Sequence, residues 1–225
     1  SDYLDQEQYY LAMQDAERAL KNAMNSTEQS MAYGIKGRGL LIMQRYGEAR
    51  ESLLKALELA HDKKHKANYA NSLGVLSQKT HDFINARFFF QQAAENVEDD
   101  PVLALSIQLN QLHIQQEHPD VGSLQAILEK ISSIDAIDPR VKFYLNLAAI
   151  ARMRNSSAYT PIISQALEHA YRDSTAVKDQ SLRAEAYDSL AELYESQGNH
   201  LQALSLSELA SAQAQSASTD DLMIQ

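Results

Sequence analysis

Three alanines, Ala19, Ala56 and Ala93, stand 37 residues apart, and their surroundings recur in kind. Ala49, Leu53 and Ala56 lie at i, i+4 and i+7; Ala86, Phe90 and Ala93 repeat the spacing with a ring in the middle, and Ala12, Ala16 and Ala19 repeat it upstream. Each set is one face of an α-helix that is small at its ends. A second helical stretch precedes the two later sets: Tyr33, Gly37 and Leu40 in one case, Ala70, Leu73, Gly74 and Ser77 in the other. The glycine in each offers room for the bulk in the partner. Turns are expected at Arg45-Tyr46-Gly47-Glu48 and at His81-Asp82, where Asp82 suits a helix N-cap. Hairpins repeated at a fixed interval cannot bury their faces alone, so they must stack on one another.

The clearest unit runs from Tyr187 to Ala210. Tyr187, Leu190, Ala191 and Tyr194 form the face of a first helix, Gln197-Gly198-Asn199 the turn, and Ala203, Ser207 and Ala210 the face of a second. This arrangement resembles the tetratricopeptide repeat, from which it departs at Ser207 and, in an earlier unit, at Lys36, where the family carries larger apolar residues. The 37-residue interval exceeds the family's usual period and predicts longer turns between units. A fourth unit is expected from Pro101, with Leu105, Leu109 and Leu112 facing Leu124, Leu128 and Ile131 across His118-Pro119-Asp120. A fifth begins near Asp138-Pro139, with Tyr144, Leu147 and Ala148, then Ile163, Ala166 and Ala170. At the ends, Tyr3 reads as the close of one helix before the Ala12 set, and Ser218 to Ile224 as the start of another. The resemblance implies an all-α, right-handed superhelix spanning residues 1–225 as a single array. It comprises about five near-complete repeats with partial ones at both ends, within a longer protein, and the first helix of each pair lines the concave side. The spacing and the tail from residue 183 are also similar to the repeat region preceding the caspase-like CHAT domain of large bacterial proteins. That likeness implies a docking or sensing role beside a protease-like domain, whose catalytic His and Cys lie elsewhere.

Composition supports the helical reading. Of 225 residues 44% are apolar, enough for a core, while seven glycines and four prolines leave little for hairpin-rich sheet. The net charge is −10 and no dense basic block occurs, which argues against a nucleic-acid partner. The chain has no cysteine, so thiolate chemistry and cysteine-based metal sites are excluded. Phe143 to Ala151 is the longest nearly apolar run, too short to span a bilayer, and SDYLDQEQ lacks the regions of a signal peptide. The expectation is a soluble chain with the cytoplasm favoured, no membrane partner and no cofactor.

Motifs of catalysis or metal binding weaken on inspection. His61 and His65 share i, i+4 spacing, but they straddle a predicted turn, sit among three lysines and lack the glutamate of a zinc helix. His61-Asp62 and His81-Asp82 are only dipeptides, and Asp82 is accounted for as a cap. Gly34-Ile35-Lys36-Gly37-Arg38-Gly39 lacks the order of a phosphate loop; Gly37 reads as a packing residue and Gly34 as a notch on the open side. In Phe88-Phe89-Phe90, Phe90 fills the bulky position and its neighbours are expected to seal adjacent helices. No nucleophile–base or metal set remains, so the chain reads as no enzyme.

Binding is the remaining class. In the repeat register Asn68, Asn71, Asn110 and Asn146 project toward a groove, where an amide both donates to and accepts from a peptide backbone. Glu185, Asp188, Glu192 and Glu195 form an acidic stripe opposite the Tyr187 face, while Lys142 and Arg152 lie on the preceding first helix. The expected partner is a protein or peptide, including a basic segment drawn to that stripe. The alternative is a spacer or self-association module whose repeat ends meet.

Overall fold

The computed structural model describes residues 2–114, 120–134, 137–153, 162–163, 165–166, 169, 180–196 and 198–223, with the side chains of all of these but 2–9, 139–140, 150–153, 181–182, 185 and 216–223. The protein is all-α: helices and short connections account for the described residues, with no strand among them. None of these helices is long and apolar enough to cross a membrane. The chain divides into two compact units, residues 1–114 and 115–225.

The first unit holds α1 (Asp2–Asn22), α2 (Ser26–Ile42), α3 (Tyr46–Leu59), α4 (Lys63–Lys79), α5 (Phe83–Asn96) and α6 (Pro101–His113). Short polar residues start α2, α4, α5 and α6. The side chains of Asn25, Asp62, Asp82 and Asp100 accept the backbone N–H three residues on, at 2.9, 2.9, 3.2 and 2.9 Å. Glu28 returns the contact, accepting from the Asn25 side-chain amide at 2.9 Å and from the Met24 N–H at 2.8 Å. Pro101 occupies the first turn of α6, where no amide hydrogen is missed. The His65 backbone N–H, and then its ring, hold the Asp62 carboxyl below the usual range, and the Asn85 amide does the same for Asp82.

The ends of α2 and α4 repeat one geometry. Gln44 and His81, which are 37 residues apart, both take φ of 60°, each two residues before the next helix begins. The N–H groups of Gln44 and Arg45 bond back to Leu41 and Leu40 at 3.1 and 2.9 Å; those of His81 and Asp82 bond back to Gln78 and Ser77 at 3.0 and 2.8 Å. The paired bonds satisfy carbonyls that a helix end leaves open, and they offset the roughly 1–2 kcal/mol that an L residue loses in this conformation. This turn precedes the expected Arg45–Glu48 turn, because α3 is already helical from Tyr46.

Consecutive helices of the unit pack as neighbours, and α2, α4 and α6 also touch in series, as stacking hairpins require. The expected small-against-large pairing holds in both complete hairpins. A Cβ built on Gly37 would come within 2.6 Å of Leu53, and one on Gly74 within 2.5 Å of the Phe90 ring. Only glycine permits this approach. Leu53, Phe90, Ala49, Ala56, Ala86 and Ala93 are all fully buried, each large side chain contributing about 1.5–3 kcal/mol. The first helix departs from expectation. α1 is continuous from Asp2 rather than broken after Tyr3, and it buries Met13 and Ala16 while leaving Ala19 exposed. α1 packs on α2, and Ala19 lies off the side that meets it.

The second unit holds α7 (Val121–Ser133), α8 (Pro139–Met153), α9 (Gln180–Ser196) and α10 (His200–Met223), with α7 packed on α8 and α9 on α10. Asp120 caps α7 through the Ser123 N–H at 2.9 Å, and the Ser123 hydroxyl and N–H hold its carboxyl below the usual range. Leu124, Ile127, Leu128 and Ile131 form the buried face of α7. The α9–α10 turn shares the geometry of the first unit: Gly198 has φ of 77°, and the N–H groups of Gly198 and Asn199 bond back to Glu195 and Tyr194 at 2.9 and 2.8 Å. Three expectations are corrected here. Tyr144 is 53% exposed, because Phe143, Asn146 and Ala149 carry the buried phase of α8. Ser207 is exposed, since the covered line of α10 runs through Ala203, half-buried Leu206 and Ala210. No helix begins at Ser218; α10 runs through it to Met223. Ala170, expected in a helix, and His118-Pro119, expected in a turn, lie outside the described residues.

Candidate binding face

Helices α2 and α4 have the same length and begin 37 residues apart, so their side chains share one phase. Their packed sides meet α3, α5 and each other, which leaves one stripe of each uncovered. On α2 the stripe runs at i, i+4, i+7 and i+11 through Met31, Ile35, Arg38 and Ile42. Met31, Ile35 and Ile42 are 46%, 38% and 45% exposed, which sets three large apolar groups in one row on a solvent-facing side. The matching positions of α4 are half-buried Asn68, Ser72 and Val75 and exposed Lys79. Asn68 donates to the Lys64 carbonyl and Ser72 to the Asn68 carbonyl, both at 2.9 Å.

Between the two helices Tyr69 fixes the spacing. Its ring fills the space beside Gly34, so the notch expected there is occupied by protein, and its phenol is bonded to Ser30, whose hydroxyl donates to the Ala56 carbonyl at 2.8 Å. Burial pushes the Tyr69 phenol above its ordinary value, with Ser30 and the charge of Arg38 opposing. Near the start of α4, a cleft of about 220 Å³ is lined by Lys64, Val97, Glu98, Asp99, Asp100 and Leu103. Glu98 reaches Lys63 at 2.7 Å there.

The predicted polar groove residues do not share one surface. Asn68 lies on the α4 stripe, but Asn71 is half-buried and accepts from Asn110 at 3.0 Å, tying α4 to α6. Asn110 is 2% exposed and Asn146 fully buried, which corrects the expectation that both project into an open groove. Each falls in the covered phase of its helix, among Leu109 and Leu112 in one case and Phe143 and Ala149 in the other. Lys142 is half-buried and donates to the Ser132 carbonyl at 3.1 Å, at the C-terminal end of α7, where a cation is favoured. Asp188, Glu192 and Glu195 are exposed on α9; the side chains of Glu185 and Arg152 lie outside the described residues. His65 is bonded to Asp62 at 2.7 Å and His61 to Ser26 at 2.8 Å, so the two imidazoles serve separate contacts. Of the aromatic run, Phe90 and Phe89 are buried, whereas Phe88 is 59% exposed and seals nothing.

No protein-family model matches this chain, and no curated protein does. Among solved structures, the crystal structure of BtubC (BKLC) from P. vanneervenii is similar, with a TM-score of 0.60 over 94% of this chain and 90% of that one, at 12% identity. The likeness is one of fold. It supports a helical, repeat-like architecture for the whole chain and carries no function across, because fold alone does not fix what a surface binds.

The apolar stripe of α2 was open to sequence reasoning and was passed over. Met31 and Ile35 lie 37 residues before Asn68 and Ser72, so the register that selected Asn68 also selects Met31. What concealed it is that an exposed Met or Ile in an amphipathic helix reads as core until neighbours are placed.

Proposed function

We propose that this chain is a non-catalytic scaffold that binds a protein or peptide segment across the uncovered face of α2 and α4. The observation that carries the reading is the solvent-facing stripe Met31, Ile35 and Ile42, beside backbone-anchored Asn68 and Ser72. Apolar anchors next to polar groups suit a helix-face recognition mode, in which pockets take side chains and amides hold the chain in register. The tetratricopeptide-like repeat of small and large residues supports this, since that architecture presents successive first helices on one side. The likeness of the tail to CHAT-associated repeats extends it: the scaffold would dock or sense for a caspase-like domain. A selection from a phage-displayed random dodecapeptide library tests the core reading. We expect saturable binders whose affinity falls at least about tenfold with Ile35→Asp; an array that yields none would remove the reading.

A second reading, a spacer or self-association module, has its own support in α10, where Leu201, Leu204 and Leu209 are 84%, 59% and 43% exposed. Sedimentation over a hundredfold range of concentration distinguishes the two. Mass that rises with concentration and is restored to one chain by Leu201→Glu favours the module.

A further inference from the structure

The charges around the α2–α4 face are not balanced, and the imbalance specifies the partner. Arg38 lies within the apolar stripe and Lys79 closes the matching stripe of α4, and both are exposed. Among the described residues neither has an ion pair. Of three carboxylates of the same unit, Glu17 and Asp82 have a cation beside them, whereas Glu28 is held by neutral donors and keeps its charge. Glu28, at the start of the α2 stripe, accepts from the Met24 N–H and the Asn25 amide at 2.8 and 2.9 Å. Glu17 is held by Lys36 at 2.9 Å, and Asp82 accepts from Asn85 and lies 3.9 Å from Arg50. Lys64 shares a cleft with Glu98, Asp99 and Asp100, of which Glu98 is paired with Lys63, so that end of α4 carries more negative than positive charge and lies outside the positive patch. The chain as a whole carries −10, so a face with two unpaired cations, one carboxylate at its start and three apolar side chains is opposite in sign to its own protein.

We propose that the α2–α4 face takes an acidic segment of another protein, carrying aliphatic or aromatic anchors with carboxylates between and beside them. The inference rests on the binding reading above and adds its chemistry. Ile35 and Ile42 are seven residues apart on one helix, roughly 10 Å along its axis. A polyproline II segment, at about 3.1 Å per residue and three residues per turn, covers that in about three residues and keeps i and i+3 on one side, so two anchors at i and i+3 reach both side chains. A carboxylate between the anchors then meets Arg38, and one beyond the second meets Lys79. A guanidinium gives a carboxylate two parallel bonds, which fixes register as well as charge. This sign is opposite to the basic ligand that suits the acidic residues of α9, so the two units select different chemistries.

The peptide selection described above provides the test, read now for composition. Binders should be enriched in Asp and Glu and carry two large apolar residues at i and i+3. A synthetic binder should lose at least about tenfold in affinity with Arg38→Glu plus Lys79→Glu, and lose affinity as salt rises, mainly through slower association. Both substitutions fall on exposed side chains, and an unchanged melting curve establishes that the variant is folded. Binders that are basic or unbiased in charge, or that tolerate the double reversal, overturn the acidic assignment while leaving the scaffold reading in place. No binders at all overturns both. Sedimentation of the chain alone covers the remaining occupant: self-association abolished by the same reversal would make the ligand a second copy and overturn an external partner.

Discussion

The hairpins α2–α3 and α4–α5 are the same object inside and different objects outside. At the contact between their two helices they agree at 37 positions' distance: Gly37 and Gly74, Leu53 and Phe90, Ala49 and Ala86, Ala56 and Ala93, and the left-handed Gln44 and His81. Their surfaces do not. Met31 and Ile35 in one hairpin stand where the other has Asn68 and Ser72, and Gly47 and Glu51 stand where the other has Ile84 and Phe88. Interior positions are tied to one another by contact, since a larger residue at Gly74 demands a smaller one at Phe90. Exposed positions carry no such tie, so their chemistry is free to answer to something outside the chain.

The tie can be broken at its tightest point. Phe90→Ala should destabilise by about 3–5 kcal/mol through lost burial and a cavity, and Gly74→Ala by about 1–3 kcal/mol through overpacking. Together they should cost clearly less than their sum, because the new methyl enters the space the ring vacates. Urea midpoints of the four proteins measure this. Strict additivity would mean that the two side chains do not share the space the structure gives them. The pair Gly37 and Leu53 should behave alike with smaller amplitude, as Leu is the smaller partner.

A second comparison separates two buried asparagines. Asn110 donates to Asn71, whereas both amide atoms of Asn146 are buried without a hydrogen-bond partner. An unsatisfied buried polar group costs about 1–3 kcal/mol. Asn146→Leu, which keeps the branch at Cγ although it is larger, should therefore raise stability by about 1 kcal/mol, while Asn110→Leu should lower it by stranding the Asn71 oxygen. Thermal melts of both variants decide; a fall for Asn146→Leu would show that its amide is satisfied in solution.

These asparagines also mark what the sequence could carry. The hairpin interiors were legible because their spacing is local and repeated, and the caps at Asp82, Pro101 and Pro139 followed from backbone chemistry. The left-handed turns at Gln44 and His81 were not legible, since neither residue announces positive φ as Gly198 does. Exposure was read wrongly wherever it depends on which neighbours a helix has. Asn110, Asn146, Tyr144, Ser207 and Ala19 all sit on faces whose burial is set by packing and not by their own periodicity. The exposed apolar stripe of α2 was missed for the same reason, in the opposite direction.

Tyr69 joins the two hairpins, and its titration probes the joint. Because burial raises its phenol, the folded state favours the protonated form. The stability this supplies is complete below the ordinary tyrosine value of about 10 and is lost as pH climbs through the raised one. Tyr69→Phe keeps the ring beside Gly34 and removes the Ser30 bond, so near pH 8 it should cost about 0.5–1.5 kcal/mol. Above pH 10 the wild type should lose that advantage, and the two melting temperatures should converge. A constant gap from pH 8 to 11 would mean that the phenol is as free to ionise when folded as when unfolded.

The smallest effect is expected where the hairpins differ most. Ile84 is 84% exposed and Phe88 59%, and their counterparts Gly47 and Glu51 show that the same places accept a residue without bulk and one with a charge. If the outer face of α5 makes no demand on folding, Phe88→Glu, which copies the sister hairpin, should shift stability by no more than about 0.5 kcal/mol. Phe88 does meet the Phe89 ring edge-on, with centroids 5.3 Å apart, so a small loss is the expected sign; an exposed pair of this kind contributes about 0.5 kcal/mol or somewhat more. Ile84→Gly would confound surface with helix propensity, because glycine alone costs up to about 1 kcal/mol in a helix, so Ile84→Glu is the cleaner partner. Urea midpoints of Phe88→Glu and Ile84→Glu should fall within error of the wild type or just below it. A loss of several kcal/mol in either would show that the outer face of α5 is covered by the fold in solution, and the division into a tied interior and a free exterior would fail at that helix.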